Sequence, residues 1–120
     1  MQVKDIMNGT ILHADKEERL DEIIRLLYEY NADAIIIRNE GIPEGIITTK
    51  EIIKGFALHK KNPSEIKAKE VMTTPIPSID HDTDTASAKE IMQKMKVNNI
   101  PVKMELDIVG LLTTADLMQL

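Results

Sequence analysis

Two short segments hold residue types and spacings that suit chemistry: Gly45-Ile46-Ile47-Thr48-Thr49-Lys50-Glu51 and Gly110-Leu111-Leu112-Thr113-Thr114-Ala115-Asp116. Both follow the order glycine, two apolar residues, threonine, any two residues, acid. Each reads as a strand running into a helix. A helix N-terminus presents unpaired N–H groups and a partial positive charge, which suits a phosphate. A threonine hydroxyl there can donate to a phosphate or sugar oxygen. A carboxylate one turn later offers two acceptor oxygens, matched to the two donor hydroxyls of a ribose. The glycine lets a backbone or ligand come close. Lys50, Lys54 and Lys103 are placed to meet phosphates. A second reading fits the same residues. Thr48-x-x-Glu51 is a capping-box pattern and Thr113-x-x-Asp116 is close to one. Acidic residues in a first helical turn are favourable without any ligand. On the motif alone both readings stand.

Elsewhere the chain is poor in catalytic groups. It has no Cys, which removes disulfides, thiolate metal sites and cysteine nucleophiles together. There is no GxxxxGK phosphate loop and no GxSxG elbow. His13, His59 and His81 lack metal-ligand spacing and read as surface residues. Asp80-His81-Asp82-Thr83-Asp84 begins like a calcium loop. It then puts Thr85 where Gly is needed and Ile91 where the bidentate Glu is needed. Helix entry capped by Thr83 or Asp84 is the better account. With no nucleophile–base pair and no metal cluster in view, an enzyme is not expected. A net charge of −5 argues against a nucleic-acid footprint. No apolar run suits a membrane span, and MQVKDIMNGT has no signal-peptide core, so a cytoplasmic protein is expected.

The elements that must position these motifs come in duplicate. Slid by 65 residues, positions 3–55 lie over 68–120 without a gap. VKDIM (Val3 to Met7) meets AKEVM (Ala68 to Met72), Ile35 meets Ile100, and GIITTKEII meets GLLTTADLM. Each copy opens with a short extended piece, Thr10 to His13 or Ile76 to Ile79. A helical period follows: Leu20, Ile23, Ile24, Leu27 and Tyr30, then Ala88, Ile91, Met92 and Met95. Two strand-like runs come next, Ala34 to Arg38 with GIITT, and Ile100 to Met104 with IVGLLT. Turns are expected over Asn39 to Glu44 and Glu105 to Asp107. A second helix starts near Thr48 or Thr49, and near Thr113 or Thr114. The order is β-α-β-β-α, twice. Ser64 is placed to cap a helix over Glu65 to Met72. The methionines read as core filler. A copy of about 55 residues is marginal alone. The two are therefore expected to pack sheet to sheet with pseudo-twofold symmetry and clefts along the seam.

The repeated unit resembles the cystathionine-beta-synthase (CBS) domain, and the whole chain resembles a tandem CBS pair, or Bateman module. The resemblance rests on the opening KDIM and KEVM, on Asn99-Ile100-Pro101-Val102, and on the closing GIITTKEI and GLLTTADL. It implies an α+β fold with repeat 1 at 1–58, a linker at 59–64 and repeat 2 at 65–120. It also implies regulation by an adenosine-containing ligand (AMP, ADP, ATP or S-adenosylmethionine) in an inter-repeat cleft, with no cofactor required. By the resemblance Asp116 holds the ribose and Thr113 assists. Thr48 matches in repeat 1, but Glu51 replaces the family aspartate and is longer by about 1.5 Å, which favours the Asp116 site. Lys50 and Ala115 stand where some nucleotide-binding relatives carry a hydroxyl. Ile76, Pro77 and Ile100 correspond to the apolar lining of the adenine pocket. The implied protein is a stand-alone sensor that forms a homodimer through helix faces carrying Ile52, Ile53, Phe56 and Leu117, and that signals to a protein partner. The alternative is a ligand-free scaffold acting through assembly.

Overall fold

The computed structural model describes residues 1–120. A 3-10 turn at Val3–Asp5 opens the chain. β1 (Leu12–Asp15), α1 (Leu20–Glu29), β2 (Ala34–Asn39), β3 (Ile42–Thr48) and α2 (Thr49–Leu58) follow. A 3-10 turn at Pro63–Glu65 then leads to α3 (Ala68–Val71), β4 (Ile79–Asp80), α4 (Thr85–Met95), β5 (Asn99–Met104), β6 (Asp107–Thr113) and α5 (Thr114–Met118). The fold is α+β with two three-stranded sheets, ordered β1-β2-β3 and β4-β5-β6. In each, the first strand runs parallel to the second and the second pairs antiparallel with the third.

The β2–β3 hairpin follows from its residues. Ala34 to Ile37 are buried, the continuous apolar run of a strand covered on both faces. The turn is only Glu40-Gly41, with φ of 51° and 80°, the double positive φ that a two-residue primed turn needs. Asn39 and Ile42 to Glu44 therefore lie in strands rather than in the turn expected from sequence. The second hairpin likewise turns on Glu105-Leu106, and Asp107 already belongs to β6. Both hairpins shift register at equivalent places, Ile37/Arg38 and Val102/Lys103.

Several expectations need correction. The first strands begin later than Thr10 and Ile76. Pro77 has no N–H to give a ladder, and the Thr10 N–H is taken by Asn8 Oδ1 at 2.9 Å. Tyr30 is 65% exposed, because α1 ends at Glu29 and Asn31 turns left-handed at φ 48°. Met95 is exposed for a like reason, with Lys96 left-handed at φ 57°. Met1, Met104 and Met118 are exposed too, so Met92 alone is fully buried core filler, with Met7 and Met72 half-buried against the two cores. Ser64 caps nothing. It sits inside a 3-10 turn, and the short α3 is capped instead by Glu70, which accepts from the Lys67 N–H at 2.7 Å.

The compact units are offset from the sequence repeats. One is residues 12–76; the other combines residues 1–11 with 77–120. In the first, Leu20, Ile23, Ile35, Ile37, Ile47, Ile66, Ala68 and Val71 form the core. In the second the core is Val3, Ile79, Ala88, Met92, Ile100, Val102 and Leu112. Each core thus includes the opening segment of the other repeat. Within the first unit, the N–H of Leu20 donates to Ile66 O at 2.8 Å and that of Ala68 to Glu18 O at 2.8 Å. Ile46 and Thr73 exchange backbone bonds at 3.0 and 2.9 Å. Within the second unit the same set recurs: Thr85 to Met1 O at 3.0 Å, Val3 to Thr83 O at 2.8 Å, and Asn8 with Leu111 at 2.9 Å both ways.

The two motif glycines serve this arrangement. A Cβ at Gly45 would collide with the Met72 sulfur, and one at Gly110 would lie 2.5 Å from the Met7 sulfur and 2.9 Å from Asn8 O. What comes close to each glycine is thus the methionine of an opening segment. Overpacking costs typically 1–3 kcal/mol. Gly110→Ala should destabilise more than Gly45→Ala, because a methionine can swing aside whereas the Asn8 carbonyl is fixed in its bridge to Leu111. Met72→Ala should rescue Gly45→Ala, and Met7→Ala should leave most of the Gly110→Ala loss in place. Thermal denaturation of the four variants checks this.

The opening segment of repeat 2 is also clasped by charge. Lys67 and Lys69 each reach Glu17 at 2.7 Å. Their hydrogen bonds, Lys67 first, hold the Glu17 carboxyl down at about 2, from 4.5. A folded-state value below the unfolded one adds stability above pH 4.5 that is lost as pH falls toward 2. Glu17→Gln should therefore flatten the melting temperature against pH within that window and leave it unaltered in slope above it. The pair is solvent-exposed, so added salt should shrink the effect.

Candidate functional site

The two strand–helix junctions can be compared atom by atom. At the first, Thr48 is the N-cap of α2 and its hydroxyl accepts from the Lys50 N–H at 3.2 Å. The Glu51 Oε1 accepts from the Thr48 N–H at 2.7 Å and from the Thr48 hydroxyl at 2.6 Å. Its Oε2 accepts from the Thr73 hydroxyl at 3.0 Å. Glu51 is 6% exposed. A buried carboxylate is tolerable only when its lone pairs are filled, and here both oxygens are. The extra methylene lets Glu51 reach Thr73.

At the second junction, Thr113 caps α5 and its hydroxyl accepts from the Asp116 N–H at 3.2 Å. Asp116 Oδ2 accepts from the Thr113 N–H at 2.9 Å. Its other oxygen, Oδ1, has no partner in the chain, and the side chain is half-buried. The two junctions share a capping box, but only the second keeps a free carboxylate oxygen. The capping reading of the motif is therefore satisfied at both, and the capacity to receive a further donor remains at Asp116.

The other candidate residues are dispersed. Lys50 is exposed in the first turn of α2. Ile76 and Pro77 are half-buried just before β4, and Ile76 closes one compact unit where Pro77 resumes the other. Ile100, 1% exposed, is committed to a core, so its side chain offers no free face. The histidines differ from one another. His13 is exposed and its Nδ1 accepts from Arg38 Nε at 2.9 Å. His81 is not a plain surface residue, because its Nδ1 is buried without a partner. No group of three His, Cys, Asp or Glu is assembled to hold a metal. No helix is long and apolar enough to cross a membrane.

Sequence reasoning missed two features. Thr73 is one; its only signal is a hydroxyl directly after KEVM, where the first copy has Asn8. The other is a cavity of about 420 Å³ between α4 and α5, lined by Met92, Val97, Leu117, Met118, Lys89 and Lys96.

A model of the CBS domain matches residues 3–58 and again 68–120. The chain belongs to the CBS domain family. It is a CBS pair. An uncharacterised protein of Methanopyrus kandleri is 23% identical over 99% of this chain. This CBS pair spans 62% of that relative's length and 31% of a second, from Methanocaldococcus jannaschii. Among solved structures, a CBS domain protein of Thermoplasma acidophilum superposes at a TM-score of 0.92 with 23% identity, over 99% of this chain and 68% of that one. The CBS domain pair of protein MJ0100, solved with 5′-methylthioadenosine and S-adenosyl-L-methionine, gives 0.85 with 26% identity, over 99% and 94%.

Proposed function

We propose that this CBS pair is a regulatory sensor module that takes an adenosine-containing small molecule, AMP, ADP, ATP or S-adenosylmethionine, at the β6–α5 junction. The observation that carries the reading is Asp116 Oδ1, an acceptor left free beside Thr113. Ribose presents two vicinal donors, and a carboxylate takes them as charge-assisted hydrogen bonds. Thr113 orients the acid through its own backbone and hydroxyl. Pro77, half-buried in the same compact unit as Asp116, supplies apolar surface for the adenine; Ile76 closes the other unit and Ile100 is packed in the core. Thr48, Glu51 and Lys50 make up the corresponding junction of repeat 1. Repeats 1–58 and 65–120, joined by 59–64, act as one module without catalysis, in the cytoplasm. The adenosine compounds bound to the MJ0100 pair support the ligand class. Titration calorimetry with AMP, ADP, ATP, S-adenosylmethionine and 5′-methylthioadenosine tests it. Saturable heat with at least one compound is expected; no heat with any of them at millimolar concentration sinks the reading.

A scaffold reading has an observation of its own. Ile53 is 63% and Phe56 49% exposed on one face of α2, apolar surface that a second copy of the chain would cover. Sedimentation should give a homodimer at micromolar concentration, and Phe56→Glu should shift it to monomer. A monomeric native chain overturns the homodimer. Dimer without any bound adenosine compound favours the scaffold.

A further inference from the structure

The two junctions have the same backbone plan, yet they differ in what reaches the acid from outside the motif. At the first, the Thr73 hydroxyl sits 3.0 Å from Glu51 Oε2. It is delivered there by the reciprocal backbone bonds between Thr73 and Ile46. The equivalent of Thr73 in the other copy is Asn8, whose backbone pairs with Leu111 in the same way. Asn8 Oδ1, however, is turned to the Thr10 N–H at 2.9 Å, and nothing from this segment reaches Asp116. A hydroxyl donating to a carboxylate oxygen is the same interaction that a ribose hydroxyl makes. With Oε1 held by Thr48 and Oε2 by Thr73, Glu51 has no oxygen left for a ligand in the direction either bond points.

We propose that Thr73 is a built-in latch on the repeat-1 junction. Its hydroxyl stands where a ribose hydroxyl would bind, so that the chain takes one adenosine compound rather than two. The count of one rests on the ribose reading of Asp116; the latch itself rests on the Thr73–Glu51 contact.

Calorimetry with S-adenosylmethionine, ATP and AMP on the full chain tests it. The native chain should bind one equivalent of whichever compound it accepts. Thr73→Val removes the donor at nearly constant shape and leaves the backbone pairing with Ile46 intact, so it should bind two. Thr73→Ser keeps the donor and should stay at one. Glu51→Asp pulls the carboxylate back by about 1.5 Å, out of reach of Thr73, and should also bind two; it serves where Thr73→Val fails to fold. Circular dichroism establishes folding for each. A native chain that binds two equivalents overturns the latch. So do folded Thr73→Val and Glu51→Asp chains that stay at one. If the native chain binds none of the compounds, the Asp116 reading falls, and the latch is judged by gain alone: binding acquired by either variant upholds it, and no gain in both overturns it.

Discussion

A fragment of residues 1–62 should show the circular dichroism of an unfolded or aggregating chain, while residues 12–76 should give helix, strand and a cooperative melt. The two are nearly equal in length, and the first holds a complete sequence repeat. Yet the first lacks Ile66 and Ala68, both 0% exposed, and Val71 at 7%. Burying an Ile or Val side chain fully is worth about 1.5–3 kcal/mol. Residues 1–62 also forfeit the bonds that Ile66, Ala68, Lys69 and Thr73 make to Leu20, Glu18, Lys16 and Ile46, each worth about 0.5–1.5 kcal/mol net. Together these losses are on the order of the whole stability of a small domain. The same fragment carries residues 1–8 with nothing to bind, and exposes Val3, which is fully buried in the whole chain. Residues 12–76 keep every member of their core. If residues 1–62 fold and residues 12–76 do not, the exchange of opening segments is wrong.

Much of this fold could be read from residue order, and the parts that could not have a common cause. The helices over Leu20–Glu29 and Thr85–Met95 announce themselves through their apolar period and, for the second, through Asp84, which accepts from the Ala86 N–H at 3.1 Å. The strand–helix junctions start where Thr48 and Thr113 predict, because capping is a local matter settled within four residues. Helix ends were less legible. Left-handed Asn31 and Lys96 end α1 at Glu29 and α4 at Met95, so Tyr30 and Met95 fall at helix ends and stay exposed, and neither Asn31 nor Lys96 is the glycine that usually marks such a stop. The pairing of opening segments was invisible for a different reason. KDIM and KEVM are so alike that a repeat alignment cannot tell which sheet each serves. The identity of Gly45 with Gly110 and of Met7 with Met72 was a clue. A glycine kept in the interior of a strand usually means something approaches closely, and here it is the methionine. Thr73 was beyond reach, since its partner lies 22 positions away and the contact depends on tertiary structure alone.

The two acids should separate cleanly under mutation. Asp116→Ala should weaken binding of the adenosine compound at least tenfold, since it removes charge-assisted hydrogen bonds worth about 1.5–3 kcal/mol each and 1.4 kcal/mol is a factor of ten. Its cost in stability should be that of a cap, about 0.5–2 kcal/mol, because α5 is only five residues long and largely exposed. Glu51→Ala should do the reverse. It removes a buried acceptor from three donors, the Thr48 N–H and the hydroxyls of Thr48 and Thr73. The hydroxyls can turn to water, but the N–H has lost a charged partner, so a stability loss of about 2–3 kcal/mol is expected. That is roughly a 10 °C drop in Tm for a domain of this size, with affinity unchanged. Differential scanning calorimetry and titration calorimetry on the same two variants decide it. An Asp116→Ala chain that melts earlier but binds as tightly as the native one shows the acid to be a cap and nothing more. A Glu51→Ala chain that loses affinity as well as stability shows that the repeat-1 junction takes part in binding, and that its closed hydrogen-bond set is not the resting state of the module.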